Sequence, residues 1–235
     1  MKPLSIITVN KDNASGLKRT IDSVLMQSCK EFEFIVIDGA STDGSAELKN
    51  EYPQIDTFIS EPDGGIYPAM NKGIKLAQGR YCLFLNSGDT LYSQDVLSKA
   101  SECLNPAEPD AIISFRLMLP GNDSYFPRKN YTLLHFQPGC IPHQATLIRR
   151  ELFKTVGPYR EDYRLISDFI FFFRALCLKK VSFRTVDLPF CQYEMNGAST
   201  NRKRMEEEIS RYLSEAEVPF FYRTVMLLRK LTNRR

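Results

Sequence analysis

Three apolar runs near the start of the chain each end on a polar side chain that could meet a ligand. LSIITVN ends on Asn10, FEFIVID on Asp38 and YCLFLN on Asn86. Behind Asp38 comes Gly39-Ala40-Ser41-Thr42-Asp43-Gly44-Ser45, whose carboxylates and hydroxyls can accept hydrogen bonds from base or ribose groups. Behind Asn86 comes Ser87-Gly88-Asp89, a single carboxylate with little bulk around it. That arrangement suits a hard divalent cation bridging a diphosphate. Mg²⁺ or Mn²⁺ takes one or two protein carboxylates and leaves its other positions to phosphate and water. No GxGxxG and no GxxxxGK[ST] occurs in these loops, so neither a dinucleotide fold nor a P-loop is supported. One such loop alone reads better as an Asx-turn. Three at successive strand ends point to a nucleotide site, because ligands of open α/β sheets bind beyond the carboxyl ends of the strands.

The elements that would hold these loops can be read from spacing. Leu4–Asn10, Phe32–Asp38, Asp56–Ser60 and Tyr81–Asn86 are short apolar runs that read as buried strands. Leu17, Ile21, Val24 and Leu25 recur at helical spacing between the first two. Ser45 can cap the next helix, and Pro68 fits the first turn of another that Gly79 stops. Such alternation predicts a doubly wound, mostly parallel α/β sheet with helices on both faces. From about Asn105 to His143 frequent proline and glycine favour short strands and loops. Helices are predicted over Arg149–Val156 and from Ser167 through DFIFFFRALCL, a strand at VSFRTVDL, and a helical end.

Composition bounds the class. The 235 residues are 43% hydrophobic and 25% charged with a net charge of +3, as in an ordinary globular protein. No run reaches the roughly 18 apolar residues of a membrane span, and charge enters too early for a secretion signal. Six cysteines lie outside metal-ligand spacing and read as reduced core residues of a cytosolic protein. Between Val218 and Arg235 stand five basic residues and no acidic one. With the rest nearly neutral, a nucleic-acid binder built on a basic face is excluded.

Taken in order, LSIITVNKDN, IDGASTDGS, SEPDGGIYPAMNKGI, GRYCLFLNSGD, HQATLIRRELFKTVG and SDFIFFFR resemble the family 2 glycosyltransferases of bacterial polysaccharide assembly. The resemblance covers roughly residues 4–200. It implies a GT-A fold, a nucleotide-sugar donor (usually UDP-linked), a divalent metal, Mn²⁺ or Mg²⁺, and inversion at the anomeric carbon. Carried over by position, Thr8, Asn10, Asp38 and Ser41 would line the base and ribose pocket. Asp63, Asn71 and Lys72 would sit beside the nucleotide, with Ser87 and Gly88 on the donor and Asp89 on the metal. Asp168 matches the general base that takes the acceptor's proton. His143 and Gln144 would face the acceptor or sugar, and so would Arg174 unless it is a structural ion-pair partner. Asn196-Gly197-Ala198-Ser199 is similar to a segment at the acceptor mouth. Two departures stand out: Gly88 replaces an acid common in the metal motif, and Pro68 replaces an aspartate.

The implied function is transfer of a sugar to a hydroxyl of a glycan or lipid-linked saccharide in surface polysaccharide assembly. One domain over 1–200 (donor half 1–104, acceptor half 105–200) would carry an amphipathic segment over 201–235. On a helical wheel Phe221, Val225, Leu228 and Leu231 cluster opposite Arg223, Lys230 and Arg234. Residues 218–235 are therefore expected to contact anionic membrane at the inner face of the cell. The alternative is that they pack on their own catalytic domain or on a second copy in a homodimer. Two other functions stay open: a degenerate nucleotide-sugar-binding partner of another transferase, which Gly88 favours, and a sugar-phosphate nucleotidyltransferase. The single glycine of Asn10–Gly16 disfavours the latter.

Overall fold

The run Leu4–Asn10 forms strand β1, buried along its whole length because both faces of the sheet are covered. Helix α1 (Ala14–Leu25) follows, with the Asn13 side chain accepting from the Gly16 N–H at its start. Strand β2 (Phe32–Asp38) lies parallel to β1, in register from Leu4 opposite Phe32 to Asn10 opposite Asp38. The donor half continues with α2 (Leu48–Glu51), β3 (Thr57–Ser60), α3 (Ile66–Leu76), β4 (Tyr81–Phe84), β5 (Thr90–Leu91) and α4 (Val96–Glu102). After it come β6 (Ile112–Met118), β7 (Ser124–Tyr125), β8 (Thr146–Arg149) and α5 (Leu152–Thr155). Then follow α6 (Ser167–Phe172), β9 (Phe183–Gln192), α7 (Arg202–Leu213) and α8 (Phe220–Thr232). This computed structural model describes residues 2–104, 110–194 and 201–232. The Asn196–Ser199 segment lies outside them.

The strands form one sheet in the order β3-β2-β1-β4-β8-β6-β9-β5, with β7 pairing β6. Strands β1 to β4 are parallel. The second half is mixed: β8 runs antiparallel to β4 and β6, β9 parallel to β6, and β5 antiparallel to β9. The expected α/β sheet with helices on both faces is present, and its purely parallel part ends at β4.

Alternating residues of each strand feed the two faces. Ile7, Val9, Ile35, Ile37 and Phe84 pack with α3, α5 and α6, whereas Ile6, Phe34, Val36 and Leu83 pack with Leu17, Ile21 and Val24 of α1. Burying each of those three α1 side chains contributes roughly 1.5–3 kcal/mol. Gly73 lets α3 approach β1 closely, since a Cβ there would lie 2.4 Å from Ile7 Cγ2.

Several local expectations are corrected. Ser45 caps nothing: its hydroxyl donates to Asp43 at 2.6 Å, and α2 starts at Leu48 without a side-chain cap. The helix expected over Arg149–Val156 shrinks to α5, because Arg149 ends strand β8 and pairs with Tyr81 in the sheet. The helix from Ser167 starts as expected but widens into a π-helical stretch at Phe173–Leu178.

The chain's last helices close over the same core. Tyr212, Val218 and Tyr222 are fully buried, and the Tyr222 ring lies 4.7 Å from that of Phe173. The Tyr222 hydroxyl donates to the Phe136 carbonyl at 3.2 Å, and Arg229 donates to the carbonyls of Leu134 and Phe136. The face that α8 buries therefore carries Tyr222 and Met226. Phe221 and Leu228, expected on its packed or docked face, point outward with Phe220 and Leu227. Among the described residues no helix is long and apolar enough to cross a membrane.

Candidate active site

The parallel register of β1 and β2 places Asn10 beside Asp38 at the carboxyl edge of the sheet. Asn10 Nδ2 donates to Asp38 Oδ1 at 2.7 Å and to Ser41 Oγ at 3.3 Å. Asp38 also accepts from the Ser41 N–H (3.0 Å), the Ser41 hydroxyl (2.5 Å) and the Ser60 hydroxyl (2.6 Å). Burial pushes the Asp38 carboxyl up, but these donors outweigh it and hold it below the usual carboxylate range. Among the described residues, the Asn10 Oδ1 and Thr8 Oγ1 atoms are buried without a hydrogen-bond partner. Ser60 escaped the sequence reading, although it ends β3 as Asn10 and Asp38 end their strands.

Asp63 reaches the same edge. A Cβ on Gly39 would lie 3.2 Å from Asp63 Oδ2, and Asp63 Oδ1 accepts from the Gly65 N–H at 3.0 Å, just before α3. Asn71 and Lys72 are tied to neighbouring protein groups. The Asn71 amide donates to the Tyr159 carbonyl and Glu161 and accepts from the Tyr159 N–H, and Lys72 pairs with Glu61 at 2.7 Å.

Beyond β4, Gly88 adopts φ +106°, a backbone region that favours glycine, and its N–H donates to Thr20 Oγ1. Ser87 lies beside it, its carbonyl accepting from Asn13 Nδ2 at 3.3 Å. Asp89 is 3% exposed, and its Oδ1 accepts from the Glu194 N–H at 3.0 Å. Burial pushes the Asp89 carboxyl up to about 7, against the pull of that N–H, the His143 ring and the Gln144 side chain. A buried carboxylate so short of positive charge fits a divalent cation. Among the described residues no three His, Cys, Asp or Glu side chains converge as a metal cluster. A cation on Asp89 would take most of its ligands from phosphate and water.

The turn His143–Ala145 links this carboxylate to a second one. The Gln144 side chain favours the ionised form of Asp89, while His143 Nδ1 lies 3.1 Å from Asp168 Oδ2 in the first turn of α6. Asp168 Oδ1 accepts from the Tyr67 hydroxyl at 2.8 Å, and His143 Nε2 lies 3.2 Å from Asn86 Nδ2. Burial pushes Asp168 up, but His143 and Tyr67 outweigh it and keep the carboxyl below the usual range. About a fifth of the side chain, 22%, stays open. The same proximity to Asp168, on top of burial, drives the Tyr67 phenol well above its ordinary value. Tyr67 was missed from sequence, although it sits within the quoted IYPAMNKG segment.

Arg174 is not part of this cluster. Its guanidinium clasps both oxygens of Glu217 at 2.9–3.0 Å, the ion-pair alternative left open above.

Comparison with known proteins agrees with this architecture. The chain is 32% identical over 202 residues to a PGL/p-HBAD biosynthesis glycosyltransferase of Mycobacterium bovis, covering 84% of this chain and 78% of that one. Its fold is that of the GT-A glycosyltransferases. Against S. aureus TarS 1–349 in complex with UDP-GlcNAc the TM-score is 0.71, at 17% identity, over 94% of this chain and 69% of that one. Against the mannosyltransferase PcManGT of Pyrobaculum calidifontis, in complex with GDP-Man and Mn²⁺, it is 0.70, at 15% identity, over 95% and 67%. The family model for glycosyl transferase family 2 matches residues 5–181, from β1 past the Asp168 helix, and the chain belongs to that family.

Proposed function

We propose that this protein is a metal-dependent, inverting transferase that moves a sugar from a UDP-sugar to a hydroxyl of a glycan or lipid-linked saccharide acceptor. The observation that carries it is the pair of carboxylates flanking one turn, Asp89 buried beside Gln144 and Asp168, about a fifth open, paired with His143. In a single displacement the acceptor oxygen attacks the anomeric carbon as its proton passes to an Asp168 oxygen. The bond from anomeric carbon to phosphate oxygen breaks, and its electron pair leaves with the nucleoside diphosphate. Mn²⁺ or Mg²⁺ held at Asp89 would supply Lewis-acid stabilisation of that departing charge. Asn10, Asp38, Ser41 and Asp63 form the polar edge for base and ribose, and Thr8, Ser87 and Gly88 shape it. Asn71 and Lys72 serve it by fixing α3. The UDP donor and the cation are supported by what the TarS and PcManGT complexes hold.

The deciding experiment is UDP binding by calorimetry with and without Mn²⁺, on wild type and Asp89→Ala. Metal-enhanced binding lost in Asp89→Ala supports the reading, and absence of UDP binding in both conditions overturns the donor assignment. Asp168→Asn separates a transferase from a binding partner of another enzyme. It should abolish turnover on a screened UDP-sugar while UDP affinity stays.

The outward face of α8 gives the acceptor side a second element. Phe220, Phe221, Leu227 and Leu228 are 56–82% exposed in a segment that carries only basic charge. An anionic bilayer at the cytoplasmic face is the surface that this combination fits, and a lipid-linked acceptor would be met there.

A further inference from the structure

The metal motif of this chain lacks one acid, and the fold brings another to the same place from far along the sequence. Strand β5 pairs β9 antiparallel, with Thr90 opposite Gln192 and Leu91 opposite Cys191. Continued by two residues, that register sets Glu194 opposite Gly88. The side chains agree with the register. A Cβ at Gly88 would lie 1.7 Å from Glu194 Oε2 and 2.7 Å from its carboxyl carbon. A side chain at residue 88 would have to displace the Glu194 carboxylate, which occupies the volume that an acid at 88 would need.

We infer that Glu194 is the second metal carboxylate of this site, delivered across the ladder in place of the acid missing at position 88. This rests on the proposed metal at Asp89. The Glu194 N–H donates to Asp89 Oδ1 at 3.0 Å, which fixes the two residues against each other. Glu194 Oε1 pairs with Arg19 at 2.6 Å, leaving Oε2 over the bare Gly88 backbone. Arg19, on α1, is a positioning residue: it orients the carboxylate through one oxygen and leaves the other for the cation, as partners of metal-bound carboxylates commonly do. Two carboxylates with phosphate oxygens and water complete a donor set for Mn²⁺ or Mg²⁺. On this view Gly88 makes room for Glu194 and does not mark a degenerate site.

The test is Mn²⁺ titration of the UDP complex, followed by calorimetry and by the electron paramagnetic resonance signal of free Mn²⁺. The proteins are wild type, Asp89→Asn, Glu194→Gln, Glu194→Asp and Arg19→Met. Thermal midpoints and metal-free UDP affinity serve as controls. Glu194→Gln should weaken Mn²⁺ binding about tenfold or more with both controls unchanged, and Glu194→Asp should fall between it and wild type. Arg19→Met should lose less, because it keeps the carboxylate. Wild-type Mn²⁺ affinity in Glu194→Gln, with binding lost in Asp89→Asn, overturns the inference and leaves the metal reading intact. A loss in Arg19→Met equal to that in Glu194→Gln also overturns it, since the ion pair alone would then explain both. If wild type binds no Mn²⁺, the metal reading itself falls, and Glu194 with it.

Discussion

His143 and Asp168 meet at 3.1 Å between Nδ1 and Oδ2, and the other ring nitrogen of His143 faces Asn86 Nδ2 at 3.2 Å. An ionised carboxylate can only accept, so His143 carries its proton on Nδ1 and donates to Asp168. Tyr67 donates to the second oxygen. Both donors favour the ionised form, which is the form a general base needs before the acceptor arrives.

Removing either donor should move the pH profile in a defined direction. Tyr67→Phe or His143→Gln raises the Asp168 pKa, so the acid limb of kcat/KM should move to higher pH. A fall in kcat of about tenfold to a hundredfold is expected, with UDP affinity unchanged. Rate profiles from pH 4 to 9 check this. An unmoved limb would mean that neither donor governs the base.

Asp38 gives a prediction about acid stability. Its folded pKa lies below the ordinary value of 3.8. The stabilisation is therefore present above that value and is lost as pH falls through the folded pKa. Asp38→Asn should cost about 1–3 kcal/mol at neutral pH, from hydrogen bonds to a charged group. The gap to wild type should narrow below the ordinary value. Urea midpoints between pH 2 and 7 measure both.

Arg174 should behave as a structural residue. Arg174→Ala breaks a two-pronged pair with Glu217 and should cost about 1–3 kcal/mol. UDP binding by calorimetry should not change at a temperature where the variant is folded.

The two faces of α8 should separate stability from membrane binding. Tyr222→Ala empties a buried site and should cost about 3–5 kcal/mol. Phe221→Asp combined with Leu228→Asp lies on the outward face and should leave the thermal midpoint in place. The same double variant should lose sedimentation with anionic liposomes. Retained sedimentation would sink the bilayer as the occupant of that face.

Where sequence and structure coincide, a simple physical reason applies. Strands β1 and β2 match their expected limits residue for residue, because parallel strands buried on both faces are unbroken apolar runs. The polar residues at their ends were legible for the same reason, since each breaks such a run. In the second half, Arg149 looked helical by neighbourhood and became a strand residue only through its pairing with Tyr81. Tyr67 and Glu194 were silent because nothing local marks them. Their partners, Asp168 and Asp89, lie 101 and 105 positions away in the chain.

Those long separations also set an order of assembly. The parallel ladder from β3 through β2 and β1 to β4 is complete once the chain reaches Phe84. The far edge of β4 waits for β8, and Asp89 waits for Glu194. Closing such distant contacts is the slow part of folding, because loop entropy is lost before the contact rewards it. A chain stalled during synthesis before β8 thus carries Asn10, Asp38 and Asp89 but neither Asp168 nor Glu194.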